Sequence, residues 1–399
     1  MVWPRHRAWL AGLACACAAS GLTGCSGARG AWSTCSPPPQ RTWAIEVTSA
    51  GRVRWQTPLP MQEGILGEGT APLVVGPIAI FSQDDVVYAL RLADGHRVWS
   101  WSSNQPIQDV FQWQGLVVVY ATGSRMALLT GLDAATGQIR WARQIAEAVP
   151  GDVAATADGG LAMMVPEPEV VNLSDGRVRW TRPDGVPGVA AIAVSGGSVF
   201  VAGNGRLTSY DDQTGKVRWT ETVTPARLAT SPELGLEADA GLVSLTGVEQ
   251  PTASGPGTPV LLGINAVNGH LKWRFTPTPA LSVKVLGPGL VSVESGNGVT
   301  WLDDLSPVTG RLRWHLVITF STEQMFFAGG HLIAVTSTAS TSTSSSGRSW
   351  AVPRGLLTAI RSADGHRVWQ VTLPAVVSFP LRAVPGGLLV YAAAVRLPC

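Results

Sequence analysis

The 399-residue sequence predicts an all-β protein, an eight-bladed β-propeller of four-stranded antiparallel blades. Three observations lead there. A glycine followed four residues later by a tryptophan recurs eight times. The stretch from one copy to the next has room for four short strands and shows no helical periodicity. Each end of the chain holds only half of such a unit. The 45 glycines and 28 prolines are high for an ordered protein and suit a fold made largely of turns.

The copies pair Gly51 with Trp55, Gly95 with Trp99, Gly137 with Trp141 and Gly176 with Trp180. They continue with Gly215 and Trp219, Gly269 and Trp273, Gly310 and Trp314, and Gly365 and Trp369. Successive tryptophans lie 39 to 55 residues apart, so half of the chain's 16 tryptophans are spent on one structural position. Before the glycine stands Asp94, Thr136, Asp175, Thr214, Asn268, Thr309 or Asp364, with Ala50 the exception. Such pairs make turns, because glycine accepts positive φ and the short polar side chain bonds back to the backbone. Five residues before the glycine an apolar residue ends the preceding strand: Leu90, Leu132, Val171, Tyr210, Ile264, Leu305 or Ile360. Glu46 breaks this rule in the first copy. After the turn, strand alternation puts the tryptophan and the residue two before it on one face, an aliphatic residue in six copies. The copies at 95 and 365 read His-Arg-Val-Trp, which places Arg97 and Arg367 on that face instead.

Upstream of each hairpin lie two more strand-like runs, as at 108–114 and 116–121 ahead of 127–132. Before Trp55 there is room only for strands near 42–48 and 52–57, and after Trp369 only for two near 379–384 and 388–393. Together these make one blade, so the ring closes by pairing N-terminal with C-terminal strands, which removes two exposed sheet edges. Two spacings are longer than the rest. The excess falls at 249–259, rich in Pro, Gly and Thr, and at 336–347, almost all Ser and Thr. Both sit between the second and third strands of a blade and read as loops, either tolerated disorder or a glycosylated or partner-facing segment.

The N-terminus reads as an address. Arg5 and Arg7 precede an uncharged, mostly apolar run over 8–22, too short to span a bilayer but suited to a secretory signal. It ends in Leu22-Thr23-Gly24-Cys25, which resembles a bacterial lipobox. Residues 1–24 are then a lipoprotein signal peptide, Cys25 the lipidated residue, 25–41 a flexible linker and 42–399 a single propeller domain. The expected location is the extracytoplasmic face of a bacterial membrane, held there by lipid. Of five cysteines, Cys15 and Cys17 leave with the signal and Cys25 carries lipid, so Cys35 and Cys399 remain. They are free thiols on two ends or, since ring closure brings both to one blade, a disulfide, and the closure predicts the bond.

Chemistry-bearing patterns are sparse. With 29 basic and 27 acidic residues the net charge is +2, too balanced to hold nucleic acid by phosphate neutralisation alone. Gly215-Lys216-Val217 lacks the rest of a phosphate loop, and no Gly-x-Ser-x-Gly or His-Glu-x-x-His is present. His96, His270 and His366 follow hairpin glycines and read as exposed turn residues, while His315 and His331 stand alone. Asp84-Asp85 and Asp303-Asp304 are adjacent in strand context and so point to opposite faces, which suggests no acid/base couple. No catalytic, metal or cofactor residue is assigned.

The hairpin Leu132-Asp-Ala-Ala-Thr-Gly-Gln-Ile-Arg-Trp141 and its seven counterparts closely resemble the repeat of the PQQ-like (quinoprotein-type) β-propeller family, over roughly 42–396. The resemblance implies that Trp55, Trp99, Trp141, Trp180, Trp219, Trp273, Trp314 and Trp369 lie on outer strands and dock on the neighbouring blade. The enzymes of the family hold PQQ and calcium on the ring axis, with large inserts and a disulfide between adjacent cysteines. Here the mature chain has no adjacent cysteines and its inserts are shorter. It is similar in size and lipoprotein character to the family's non-enzymatic bacterial lipoproteins. The leading expectation is therefore a monomeric scaffold or binding module with a protein partner, no cofactor and no enzymatic activity. A propeller sensing a small molecule or cell-wall sugar, and a PQQ-dependent dehydrogenase, are the alternatives.

Overall fold

A computed structural model describes residues 41–48, 52–59, 72–123, 126–146, 153–165, 167–182, 191–203, 205–223, 235–239, 241–249, 258–277, 282–287, 290–294, 300–318, 322–328, 331–343, 349–373, 382–384 and 387–394. Residues 1–24, expected to be a signal peptide, and Cys25, Cys35, Cys399 and Gly51 lie outside the described residues. Regular structure among the described residues is all β-strand, arranged as four-stranded antiparallel sheets. Seven sheets each use four consecutive strands, as in Ile107–Trp113, Leu116–Thr122, Met126–Asp133 and Ile139–Ala146. An eighth joins both ends of the chain, in the order Val53–Leu59, Arg41–Thr48, Gly387–Ala394, Arg382–Val384. Its central pairing runs from Arg41 opposite Ala394 to Thr48 opposite Gly387.

Second strands carry the core because both of their faces are covered. In Leu116–Thr122, Val117 and Val119 join a cluster with Val75 and Ile80 of the preceding sheet. Val118 and Tyr120 join a different cluster, with Leu161 and Met163 of the following sheet. The two-residue period thus feeds alternate side chains to two neighbours, which is why such strands are apolar without alternation. Full burial of each such aliphatic side chain contributes about 1.5–3 kcal/mol.

The recurrent hairpin turn is a wide one. Gly95 bonds its N–H to the carbonyl of Arg91, Gly137 to Asp133 and Gly215 to Asp211, each at 2.8 Å. The hairpin glycines from Gly95 to Gly365 have φ between 65° and 78°, the left-handed region where a Cβ costs about 1–2 kcal/mol. The Asp133 carboxylate rigidifies its turn by accepting from Thr136 N at 3.0 Å and Thr136 Oγ1 at 2.9 Å.

The structure corrects three expectations. First, the strand after the turn is bulged in all eight sheets: Leu132 faces Ile139 but Gly131 faces Trp141, leaving Arg140 as the extra residue. A bulge breaks the alternation. The residue two before each tryptophan therefore does not share its burial: Val53 is 43% exposed and Leu271 59%, whereas Trp55 is 9% and Trp273 7%. Arg97 and Arg367 are likewise exposed. The bulged arginine instead reaches back to an acid, Arg140 to Asp133 at 2.7 Å and Arg218 to Asp211 at 2.8 Å. Where valine takes the bulge, Arg91–Asp94 and Arg361–Asp364 tie the turn at 2.8 and 2.9 Å.

Second, Glu46 is not the misfit of the apolar series. Val47 faces Val53 and Glu46 faces Trp55, so the first hairpin loop is one residue shorter than the next, where Leu90 faces Arg97. The fully buried Val47 is the apolar counterpart, and Glu46 occupies the place of Ala89 opposite a tryptophan. Burial raises its pKa against the pull of Arg54, whose Nη1 lies 2.5 Å from Oε1.

Third, the Ser/Thr-rich stretch is a strand over its described part. His331–Thr343 pairs with Ser349–Arg361 along its whole length, from His331 opposite Arg361 to Thr343 opposite Ser349. Pairing with the flanking strands ends at Thr336 and Gly355, so 337–343 and 349–354 continue as a two-stranded ribbon. The stretch is rich in threonine, a residue type that favours extended backbone. The other insert separates the strands Leu242–Glu249 and Thr258–Asn265, and its residues 250–257 lie outside the described residues.

Candidate functional site

The tryptophans and glycines of successive copies meet each other. Trp55 Nε1 donates to Leu92 O at 2.9 Å, Trp99 to Ala134 O at 2.9 Å and Trp180 to Asp212 O at 2.8 Å. Trp219, Trp273 and Trp314 reach Ala266 O, Pro307 O and Ser362 O at 3.0, 3.0 and 2.7 Å. Each acceptor belongs to the next sheet's hairpin turn. The indole also lies on that turn's glycine: a Cβ on Gly95 would sit 2.6 Å from Trp55 Cε3, and one on Gly215 2.6 Å from Trp180 Cδ2. The glycine is thus required twice, for its φ and for the ring above it. Trp141 differs. Its Nε1 is buried without a partner, over Gly131, where a Cβ would fall 2.3 Å away. Trp369 lies in the strand Arg367–Leu373, opposite Ala359.

A groove of about 920 Å³ opens where turns of three sheets converge. Its lining includes Gln112, Trp113, Gln114, Asp133, Arg140 and Ser174. Trp113 is held from behind by Gly159, whose absent Cβ would lie 2.4 Å from the indole Cε2, and it packs on the cluster containing Leu161 and Leu173. Arg140 holds the Asp133 carboxyl down at about 2, with Thr136 helping, so this pair stays ionised and mutually neutralised at any ordinary pH. The groove wall therefore carries hydrogen-bonding capacity without net charge.

Sequence reading missed one titratable pair. His315 Nδ1 lies 2.7 Å from Asp303 Oδ1, and Trp301 Nε1 donates to Asp303 Oδ2 at 3.1 Å. Asp303 and His315 are cross-strand partners, twelve residues apart, and the Asp303-Asp304 doublet concealed this because only register reveals it. Asp304 turns to Arg313 at 2.7 Å, consistent with the expected opposite faces. Asp84 sits in a turn at φ 52°, and Asp85 accepts from Ser102 Oγ at 2.8 Å. His96, His270 and His366 are exposed on their turns. Among the described residues no group of three or more His, Cys, Asp or Glu stands together as a metal would need.

A family model described as outer membrane protein assembly factor BamB matches residues 43–156, 125–249 and 168–328. The chain belongs to that family, a PQQ-like β-propeller family. The overlapping matches are what a repeat produces, since a BamB-family model can be laid on this sequence in several registers. Among solved structures, this BamB-family chain is similar to the computationally designed Ika8 protein, with a TM-score of 0.54 and 11% identity, covering 83% of this chain and 98% of that one. It is also similar to quinohemoprotein alcohol dehydrogenase from Comamonas testosteroni, with a TM-score of 0.50 and 13% identity, covering 83% and 75%. BamB from Moraxella catarrhalis aligns at a TM-score of 0.48 and 15% identity, covering 87% and 90%. Identities this low speak to fold alone. No curated protein matches the chain.

Proposed function

We propose that the chain is a lipid-anchored, extracytoplasmic scaffold that binds a protein partner and catalyses no reaction. The observation that carries this reading is the match of a BamB family model over residues 43–328. On this reading the eight sheets are blades of one closed propeller domain, 42–399, and the protein acts as a monomer. The pairing of Arg41–Thr48 with Gly387–Ala394 supports closure, as does the contact of seven hairpin tryptophans, from Trp55 to Trp314, with the following sheet. The hairpin tryptophans and glycines are then structural anchors, Cys25 carries the lipid, and a Cys35–Cys399 disulfide fastens the two ends.

Membrane fractionation, lipid mass spectrometry and cross-linking of the full chain in a bacterial host test the proposal together. Wild type should sediment with membranes, carry acyl chains on Cys25 and cross-link to a stoichiometric protein, while Cys25→Ala is released unacylated. An unacylated wild-type chain would refute the anchor. Dye reduction on adding PQQ and calcium to the purified protein would refute the non-enzymatic reading.

A further inference from the structure

The groove at the junction of three sheets has a feature that packing does not account for. Three described non-glycine residues have positive φ: Asp84 at 52°, Asn104 at 58° and Gln114 at 42°. Asp and Asn tolerate this conformation because a short polar side chain can bond the local backbone. Glutamine has no such compensation. Two corresponding turns between first and second strands use glycine at this position, Gly76 at φ 59° and Gly196 at 55°. Gln114 therefore keeps a backbone strain that glycine would relieve, and strain of this kind clusters at binding sites. Its side chain makes no hydrogen bond within the described structure, nor do those of Gln112 and Trp113. All three line the same groove.

The chemistry of the wall selects the ligand. Trp113 is half-buried and fixed by Gly159, a rigid aromatic surface with an unused N–H. Each glutamine amide offers a donor and an acceptor side by side, matching hydroxyls that both donate and accept. Asp133 and Arg140 neutralise each other at 2.7 Å, so an anion gains nothing from the arginine and a cation nothing from the carboxylate. A volume of about 920 Å³ in an open groove suits a chain of several rings rather than a buried cofactor.

We propose that this groove binds a neutral oligosaccharide, stacked on Trp113 and hydrogen-bonded by Gln112 and Gln114. The site goes beyond the scaffold reading and does not depend on the lipid anchor or on any protein partner.

The test is calorimetric titration of the full chain with maltohexaose, cellohexaose and chitohexaose, each to about 5 mM. At least one should bind. Gln112→Ala and Gln114→Gly should each weaken it about five-fold, the loss of a hydrogen bond to ligand. Gln114→Gly should also melt at a higher temperature than wild type, since the left-handed strain is gone, which separates loss of binding from loss of fold. Failure of all three sugars to bind, or binding undiminished in Gln114→Gly, would overturn the proposal. A Gln114→Gly protein that melts lower than wild type would remove the strain on which it rests and overturn it equally.

Discussion

Replacing Gly215 and Gly76 by alanine separates the two demands placed on a hairpin glycine. Both have positive φ, +65° and +59°, so either alanine meets a backbone cost of about 1–2 kcal/mol. Nothing lies within 4 Å of a Cβ at Gly76. At Gly215 the new methyl would fall 2.6 Å from Trp180 Cδ2 and 2.9 Å from Cε3. The indole cannot retreat, because Nε1 is bonded to Asp212 O at 2.8 Å and the ring is packed among Val170, Val201 and Tyr210. Overpacking of this kind adds about 1–3 kcal/mol. Gly76→Ala should therefore cost about 1–2 kcal/mol and Gly215→Ala about 2–5 kcal/mol. With unfolding entropy near 2.1 cal/mol/K per residue over roughly 350 residues, the difference is about 1–4 °C in Tm. Differential scanning calorimetry with matching urea midpoints measures it. Equal destabilisation by the two alanines would show that the tryptophan does not bear on the glycine, and the docking argument would fall.

Two other changes probe neighbouring features. Trp180→Phe removes the 2.8 Å bond to Asp212 O and leaves that carbonyl only the 3.4 Å contact from Arg179 Nη1, an expected loss of about 1 kcal/mol beyond that of Trp141→Phe, whose Nε1 has no partner to lose. Urea midpoints rank the two, and an equal or larger cost for Trp141→Phe contradicts the assignment. Asp109 is raised to about 6 by burial, which outweighs the Val110 N–H bonded to its carboxylate. Its folded pKa is above the unfolded one, so the folded state keeps the proton longer and stability falls as pH rises from about 4 to 6, by about 3 kcal/mol in all. Asp109→Asn should stabilise the protein at pH 7.5 and flatten that decline; a thermal-melt series from pH 4 to 8 in which the variant tracks wild type would exclude the effect.

What the sequence disclosed depended on the range of the interaction involved. The Gly and Trp positions were legible because turn chemistry and a fixed four-residue spacing are local. The bulge was not. It adds one residue to a single strand, and Ile139 and Trp141 two apart look like any alternating pair until Leu132 and Gly131 are seen opposite them. The one-residue deletion in the first hairpin misled for the same reason, making Glu46 stand where Val47 belongs. Long-range register hid the Asp303–His315 pair completely. Composition misdirected the reading of the Ser/Thr-rich stretch, where threonine's preference for extended backbone outweighed the polarity that suggested a loop. The groove residues could have been suspected from Gln114-Gly115 alone, since a turn of that kind favours Asn, Asp or Gly at its first position.

Three departures from the repeat share a place in the fold. Repeats that dock through one geometry risk docking on the wrong neighbour, because any indole fits any hairpin glycine. The sheet made from both chain ends is the most exposed to this error, since no connection guides its halves together. Its own hairpin is the one with the shortened loop, and its buried Glu46 pairs with the exposed bulge residue Arg54, as Asp304 pairs with Arg313 in another sheet. The hairpins on either side of it in chain order, around Gly95 and Gly365, are the two that exchange the bulge arginine for Arg91–Asp94 and Arg361–Asp364. Trp55 therefore docks on a turn whose charges sit differently from those met by Trp99 or Trp180. Variation at these three hairpins distinguishes the terminal junction from the stations between other sheets, and it does so without altering the glycine or the tryptophan that make docking possible.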